Sequence, residues 1–341
     1  MKRNLKLILA YIVLIAFGNQ AKSQTDITLI IKDLAGQQID KIEAFDYSQI
    51  EMLNPKIADT IQLKFSKNTI NCYVLRFHSQ NKIANKQIWL DPGTVTVHGH
   101  LNRLNLIIDT VINAPVYYKI NEFQNTYSKL LKKSDVSEMN QFLLTSFKEH
   151  ADDPFSITIG IYYLMLNINS KENLAKLKTE TDRQGNKFGW YITAPNLYDR
   201  LNTVLTLDKL DLKNFQFTSL ENKKTNISLK GSDYTVINFW FAGNRASLQQ
   251  HQTIKPKWDA LKAQHIDLLG VSIDQSFDQW AQYLNAANLP WQNLLESKEN
   301  LLSDYLKIDN FPTYVILDKK GSLVATYFSF ADVLKHFNIT P

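Results

Sequence analysis

Residues 236–247 read Val-Ile-Asn-Phe-Trp-Phe-Ala-Gly-Asn-Arg-Ala-Ser, and this stretch decides the fold of the chain. Its first part is a mostly apolar run, which is typical of a strand that is buried on both faces of a parallel sheet. Asn244 follows a few residues later, and asparagine is a residue type that caps the start of helices. The stretch therefore predicts a buried strand, a short loop and a helix that begins near Arg245.

Strand and helix patterns alternate around this stretch, from residue 206 to residue 341. A hairpin is predicted at 215–228, and the helix at 245–264 is interrupted by Pro256. Further along the chain come a strand at 268–273, a helix at 277–287, strands at 314–317 and 322–327 joined by a turn, and a helix at 331–337. Such alternation predicts an α/β fold for 206–341.

The first half of the chain has different patterns. Short stretches over 24–112 alternate with period two, as Ile61-Gln62-Leu63-Lys64-Phe65 does, and Asp91-Pro92-Gly93 is typical of a turn. This spacing of short strands predicts a sandwich or a small barrel. Residues 113–205 then change to helical spacing. We therefore predict a β-rich domain at 24–112, a helical connector at 113–205 and an α/β domain at 206–341.

Four segments of the α/β domain follow the order of a known family. They are Val236-Ile237-Asn238-Phe239-Trp240, Gly270-Val271-Ser272-Ile273-Asp274, Phe311-Pro312-Thr313 and Leu317-Asp318-Lys319-Lys320-Gly321. The set resembles exported thioredoxin-like proteins of the thiol-disulfide oxidoreductase and peroxiredoxin-related group. Residues 89–97 likewise resemble part of the β-rich domain that precedes such modules in exported Bacteroidetes proteins. The resemblance implies a thioredoxin-like fold for 206–341, with a cis bond between Phe311 and Pro312.

The sequence departs from this family at the active site. Redox-active members carry Cys-x-x-Cys at the start of the helix, where the helix N-terminus lowers the pKa of the first thiol and the second thiol resolves the mixed disulfide. Asn244 and Ser247 occupy these two positions here, and Gly243 stands where an aromatic residue is common. Pro256 lies about one turn later than the helix proline of the family. Because neither Asn244 nor Ser247 is a thiol, we expect that redox activity has been lost.

The resemblance also implies a peptide-binding groove beside the cis proline. On the residues of this chain, that groove would be lined by Trp240, Gly243, Asn244, Arg245, Ser247, Phe311, Pro312 and Thr313. Two interpretations of the aromatic residues Trp240, Trp291, Phe311 and Tyr314 stay open at this point. They line the groove, or they pack in the core.

Two other arrangements have a chemical and a structural interpretation. Ser247 and His251 are four residues apart and share a helix face, as a hydroxyl nucleophile and its base would, or they belong to a polar helix face. His98 and His100 point to one side of a strand, as metal ligands do, or they lie at a solvated strand end. No acid is placed to orient His251, and no third ligand accompanies the two histidines. We favour the structural interpretation of both pairs and predict neither a metal nor a cofactor.

Cys72 is the only cysteine of the chain. It lies in an alternating, strand-like run and cannot form a disulfide within the chain. The favoured interpretation is a small buried apolar residue. A reactive or intermolecular thiol is the alternative, and it would allow an oxidoreductase that uses Cys72 or a partner's cysteine.

Residues 1–23 have the features of an export signal. Lys2, Arg3 and Lys6 precede an apolar run over 7–17, and Ala21-Lys22-Ser23 supplies small residues for a signal peptidase. The run is shorter than the roughly 20 apolar residues of a membrane span, so a retained anchor is the second choice. The segment carries four positive residues and no acid, so its removal reduces the formal net charge from +5 to +1 (5 − 4). A near-neutral protein of this kind is not expected to bind nucleic acid.

The leading hypothesis is a periplasmic or cell-envelope thioredoxin-like protein that acts by binding a protein or peptide and has no redox activity. Two alternatives remain: an oxidoreductase of the same family, and a structural or surface module whose β-rich domain is the functional part. Contact with a membrane is expected only through a retained N-terminal segment.

Overall fold

The computed structural model describes residues 24–47, 51–229, 231–297 and 299–340. The chain divides into two compact units, which we call the N-terminal unit and the C-terminal unit. The N-terminal unit contains the described residues up to Gly160 together with Asn186–Ala194, and the C-terminal unit contains Ile161–Gly185 together with the described residues from Pro195. The predicted signal peptide, residues 1–23, lies outside the described residues. Within the described ranges, no helix is both long and apolar enough to cross a membrane.

Two four-stranded sheets share one core in the described part of the N-terminal unit. Their strands are β1 (Thr25–Lys32), β2 (Lys41–Asp46), β3 (Met52–Leu53), β4 (Thr60–Phe65), β5 (Asn71–Ser79), β6 (Lys82–Leu90), β7 (Gly93–Asn102) and β8 (Asn105–Ile112). The strand orders are β4-β1-β7-β8 and β3-β2-β5-β6. The alternation in β4 places Ile61, Leu63 and Phe65 in the core and leaves the residues between them exposed. Gly93 has the positive φ (104°) that the predicted turn requires.

Five helices follow the sheets among the described residues. They are α1 (Pro115–Lys133), α2 (Val136–Glu149), α3 (Phe155–Leu166), α4 (Lys171–Gln184) and α5 (Ala194–Thr206). The division between the two units falls within α3, after Gly185 and after Ala194, so residues of this stretch belong to both units. Tyr191 belongs to the N-terminal unit, because its ring packs 5.8 Å from that of Trp89.

A seven-stranded sheet forms the centre of the C-terminal unit. Its strands are β9 (Phe217–Thr218), β10 (Lys224–Thr225), β11 (Tyr234–Trp240), β12 (Ile266–Ser272), β13 (Gln292–Glu296), β14 (Thr313–Asp318) and β15 (Leu323–Tyr327). They lie in the order β10-β9-β13-β12-β11-β14-β15. The strands β11, β12 and β13 are parallel, and β14 is antiparallel to β11. This thioredoxin-like α/β arrangement confirms the predicted fold class, and β13 is a strand that the sequence analysis did not predict.

Five helices lie between or after the strands of this sheet in the described sequence: α6 (Arg245–Ile254), α7 (Trp258–Ala263), α8 (Phe277–Ala287), α9 (Leu302–Tyr305) and α10 (Phe330–His336). The helix predicted after β11 is interrupted where expected, since a 3-10 turn with Pro256 separates α6 from α7. The carboxyl ends of β11, β12 and β13 and the start of β14 lie at one edge of the sheet, because Phe239 pairs with Thr313. We call this edge, with the loops that follow these strands and precede β14, the loop edge.

A side chain from the α3–α4 loop forms hydrogen bonds with the backbone of the outer strand β15. Asn169 Nδ2 donates to the carbonyl oxygen of Thr326 at 2.9 Å, and its Oδ1 accepts from the amide of Thr326 at 2.7 Å. One amide side chain thus satisfies both backbone groups of Thr326, which a strand at a sheet edge otherwise leaves unpaired.

We predict that Asn169→Ala lowers the free energy of unfolding of the C-terminal unit by about 1–3 kcal/mol, because it leaves two half-buried backbone groups without partners. Urea unfolding measures the change. Asn202→Ala, an exposed position on α5, is the matched control and should change the value by less than about 0.5 kcal/mol. Equal effects of the two substitutions would contradict the role assigned to Asn169.

Candidate functional site

Asn244 caps the start of α6. Its backbone is extended (φ −97°, ψ 106°), and its Oδ1 accepts a hydrogen bond from the amide of Ser247 at 2.8 Å. The carbonyl oxygen of Asn244 accepts the next helical bond, from Leu248 N at 3.1 Å. The predicted role of Asn244 as a helix cap is therefore confirmed, and the two positions where the family resemblance places cysteines are joined here by a capping hydrogen bond.

Ser247 is buried, and this changes the predicted groove. Its exposed fraction is 0%, and within the described residues its Oγ has no hydrogen-bond partner. Trp240 and Thr313 are also fully buried, and Pro312 is buried beside them. These four residues are buried, so they do not offer a peptide the accessible surface that the predicted groove requires. Tyr314 and Trp291 are buried as well, so the core interpretation of these aromatic residues is correct.

A smaller set of residues forms the accessible surface at this point. Gly243 and Arg245 are exposed, and Asn244 is half-buried between them. The ring of Phe311 meets that of Phe241 edge to face, with centroids 5.4 Å apart, and both rings are half-buried. The peptide bond between Phe311 and Pro312 is cis, as predicted. The surface beside the helix start therefore combines an aromatic pair with one arginine.

Asp274 organises the loop before the helix, a role that the sequence analysis did not assign. Its carboxylate accepts hydrogen bonds from the amide of Ala242, at 3.1 Å and 2.9 Å, and from Ser272 Oγ at 2.7 Å. The loops after β11 and β12 are thereby tied together. The sequence carried a hint of this role, because a serine and an aspartate two residues apart follow an apolar strand, and such residues bond to nearby backbone groups.

His251 is buried in α6, one turn after Ser247, and its ring packs against the aromatic rings of Trp240, Tyr283 and Trp291. Its Nε2 is 3.1 Å from Asn238 Nδ2, its Nδ1 is 2.9 Å from the hydroxyl of Tyr283, and its ring packs 4.6 Å from that of Trp240. Burial lowers the pKa of His251 to about 4. Because both ring nitrogens are engaged, the imidazole is not a base for Ser247.

Ser247 and His251 share one face of α6, as the structural interpretation expects, but that face is buried. Both side chains have an exposed fraction of 0%, and they share with Ile254 the face of α6 that is buried. The spacing of four and then three residues is that of a helix face packed on a sheet. The polar character of two of the three residues concealed this from the sequence analysis.

The loop before the cis proline is held by a residue from far upstream. Arg200 on α5 is buried and pairs with Asp309, two residues before Phe311, and its guanidinium lies 5.6 Å from the ring of Phe328. Burial lowers the pKa of Arg200, and the charge of Asp309 opposes that shift. The helical stretch therefore positions the accessible surface of the thioredoxin-like fold, which no local sequence pattern indicated.

A cavity of about 750 Å³ lies at the loop edge of the C-terminal unit. It is bounded by the β9–β10 hairpin, the loops that follow β12 and β13, and Phe311. Its size falls within the roughly 300–1,000 Å³ of small-molecule and cofactor sites. Because Phe311 belongs both to the aromatic pair and to the cavity wall, the two surfaces are continuous.

The remaining predicted chemistry lies in the N-terminal unit. Cys72 has an exposed fraction of 1%, as favoured, and burial raises the pKa of its thiol to about 12. His100 Nδ1 lies 3.0 Å from Asp109 Oδ1, which gives this histidine a structural partner. In the part of the chain that the structure describes, no three His, Cys, Asp or Glu side chains are grouped as a metal site requires.

Part of the C-terminal unit matches a known protein family. Residues 231–323 match the protein-family model described as thioredoxin-like. The thioredoxin domain of a thiol-disulfide oxidoreductase from Bacteroides vulgatus is 20% identical and aligns over 38% of this chain and 96% of its own, with a TM-score of 0.33. A thioredoxin-like protein from Bacteroides caccae is 15% identical over 66% of this chain and 86% of its own, with a TM-score of 0.49. No curated protein matches the sequence. The family match and the order of strands around the cis proline together show that the C-terminal part of this chain is a thioredoxin-like domain.

Proposed function

We propose that this chain is an exported thioredoxin-like protein without redox activity, which acts as a binding or accessory module of the cell envelope. One observation carries the proposal: the two cysteine positions hold Asn244 and Ser247, and a capping hydrogen bond of 2.8 Å joins them. The site is thus built as a stable helix start. The surface around it remains available to a partner.

The chemistry of the two side chains supports the loss of redox activity. Thiol–disulfide exchange requires a thiolate that attacks a disulfide and a second thiol that completes the exchange. The amide of Asn244 has no ionisable proton in the physiological range, and Ser247 has no base among the described residues. Neither group can form the mixed disulfide on which the activity depends.

Cys72 does not replace the missing thiols in this proposal. The reactive species of cysteine is the thiolate, and a pKa of about 12 leaves the thiol protonated at neutral pH. Its side chain is also inaccessible, with an exposed fraction of 1%. If Cys72 were the nucleophile of an oxidoreductase, Cys72→Ser would abolish turnover in an insulin-reduction assay. We expect wild type and Cys72→Ser to be equally inactive.

The partner surface that we propose is the aromatic pair of Phe241 and Phe311 with the exposed residues Gly243 and Arg245. Aromatic side chains and arginine are enriched at protein interfaces because they combine apolar area with polar recognition. The pair is half-buried, so it is already fixed before a partner arrives and loses little side-chain entropy on binding.

A peptide array tests this surface. Wild type should bind a subset of synthetic peptides, and Phe241→Ala and Phe311→Ala should each weaken that binding about tenfold or more, as is usual for interface aromatics. Val324→Ala is the matched control, because Val324 is an exposed apolar residue on β15, away from the loop edge. Binding that survives both phenylalanine substitutions would exclude this surface.

Export is a separate part of the proposal and has its own test. The small residues Ala21 and Ser23 follow the apolar run, so the mature chain should begin near Gln24 or Thr25. Intact-mass measurement on the protein recovered from the envelope fraction gives the answer. A mass equal to that of the full chain would show that residues 1–23 are kept as an anchor.

A further inference from the structure

Two chemically distinct sets of residues line the cavity at the loop edge. One set is apolar and consists of Ile273, Phe277, Leu295, Leu301, Ile308 and Phe311. The other set carries the carboxylates of Asp274, Glu296, Glu299 and Asp304, and Lys224 is the one cation among the described lining residues. An occupant that contacts both sets must combine apolar surface with positive charge.

Among the described residues, none of these four carboxylates forms an ion pair. Asp274 accepts from the amide of Ala242 and from Ser272, while Glu296 accepts from the amide of Ser303 at 2.7 Å and from its hydroxyl at 2.6 Å. All of these donors are uncharged. Glu299 and Asp304 are exposed, and within the described ranges no ion pair involves either of them. Lys298, in the same loop, lies outside the described residues.

Glu296 differs from Glu299 and Asp304 in its burial. Glu296 is almost fully buried at the end of β13, and this burial raises the pKa of its carboxyl. A positive charge brought into the cavity would favour the ionised form of Glu296, since an opposite charge nearby stabilises a carboxylate. The burial of Glu296 also strengthens its interaction with an opposite charge nearby.

A metal ion does not fit this arrangement. Over the residues that the structure describes, no three acidic or histidine side chains are close enough to share one ion. The volume of about 750 Å³ is also larger than a single ion can fill, and a metal ion would leave the apolar lining residues without a contact. An organic cation that is attached to apolar groups can contact both sets of residues.

We propose that this cavity binds a lysine or arginine side chain of a partner peptide, whose neighbouring apolar side chains lie against Phe311 and the other apolar lining residues. The inference rests on the proposed binding function and specifies its ligand. Charge complementarity selects the cationic side chain. The continuity of the cavity with the Phe241–Phe311 surface favours a peptide, because one extended segment can contact both.

Fluorescence anisotropy with the purified chain tests the inference. The probes are two labelled, end-capped hexapeptides, Gly-Phe-Lys-Phe-Lys-Gly and Gly-Phe-Glu-Phe-Glu-Gly. The lysine peptide should bind about tenfold more tightly, and its affinity should fall as salt rises from about 0.01 M to about 1 M, because the Debye length shrinks from roughly 30 Å to roughly 3 Å. Equal affinities for the two peptides, or no binding of either, would overturn the inference.

The double variant Glu299→Gln/Asp304→Asn locates the site. Both residues are exposed, so the fold should persist, and the lysine peptide should bind about fivefold more weakly, as the loss of two exposed charge pairs implies. Asp259→Asn is the matched control, since Asp259 is an exposed acid on α7 outside the cavity. A double variant that binds as the control does would contradict the proposed site.

Two further arms separate the outcomes. Butylammonium should compete only weakly with the lysine peptide, and competition at the affinity of the peptide itself would show that a free cation is the occupant. If both peptides bind equally and Phe241→Ala removes both, the binding function stands and the cationic ligand is wrong. If wild type reduces insulin, the redox-inactive function fails whatever the peptides do.

Discussion

Asn244→Cys/Ser247→Cys should give a protein that reduces insulin disulfides, whereas wild type shows no turnover above background. The two positions are three residues apart on the first turn of α6, a separation at which side chains of a helix face each other. A thiolate at position 244 would take over the bond that Asn244 Oδ1 now receives from the amide of Ser247. Helix-start thiols in such motifs have pKa values of roughly 3.5–7.5.

The two new thiols would differ in solvent exposure, as the mechanism of thiol–disulfide exchange requires. Position 244 is half-buried and reachable, so its thiol would attack the substrate, while position 247 is fully buried and would resolve the mixed disulfide. The exposed guanidinium of Arg245 favours the thiolate, and the carboxylate of Asp274, bonded to Ala242 N two residues earlier, opposes it. We therefore expect the pKa of the first thiol to lie in the upper part of that range.

The assay needs two controls. Asn244→Ser/Ser247→Ala keeps a cap and removes all new thiols, so it should remain inactive. A titration of the oxidised and reduced double-cysteine variant shows whether the 244–247 disulfide forms. A folded variant that neither forms this disulfide nor turns over would mean that the helix start differs in geometry from the Cys-x-x-Cys site of redox-active proteins. Gly243 and Pro256 would then be the first positions to examine. Turnover by wild type would refute the proposed function directly.

The C-terminal unit should lose stability as the pH falls from about 6.5 to about 4, because His251 is buried in its neutral form. Burial lowers the pKa of His251 from its ordinary value of 6.5 to about 4. Between these values the unfolded chain binds the proton and the folded chain does not, so the free energy of unfolding rises with pH. The full contribution is present above about pH 6.5, and the loss reaches about 3 kcal/mol below pH 4.

His251→Gln isolates this effect. Glutamine keeps a polar side chain near Asn238 and Tyr283 but does not titrate, so its stability curve should be flatter over this pH window. The measurement is urea unfolding of both proteins at about pH 7 and about pH 5. The raised pKa of Glu296 acts in the opposite direction, but it is common to both proteins and cancels in the comparison. Parallel curves for the two proteins would show that His251 is not buried in its neutral form.

Local patterns were sufficient to predict much of the C-terminal unit. The apolar run that became β11, the capping role of Asn244 and the break at Pro256 depend on neighbouring residues, and they were predicted correctly. The cis bond before Pro312 came from the family resemblance. The short strand β13 was missed because its sequence has no clear alternation. It is a strand because its backbone pairs with β12 on one side and with β9 on the other.

The mispredicted features of the site have a common physical cause. Whether each of these side chains is buried depends on residues that are distant in the sequence. Ser247 and His251 are polar, so a sequence pattern places them outside, whereas Asn238 and Tyr283 provide partners that allow His251 inside. The pairing of Arg200 with Asp309 joins positions more than a hundred residues apart. No periodicity along the chain reports on such contacts.

The interleaved course of the chain has a consequence for its biosynthesis. Asn186–Ala194 completes the N-terminal unit, yet the ribosome makes it only after Ile161–Gly185, which belongs to the C-terminal unit. The buried residues Leu174 and Leu177 of α4 belong to the C-terminal unit, most of which, from Pro195 onward, is translated after them. Until those residues are made, the C-terminal unit is incomplete, and an incomplete unit exposes apolar surface of the kind that chaperones bind.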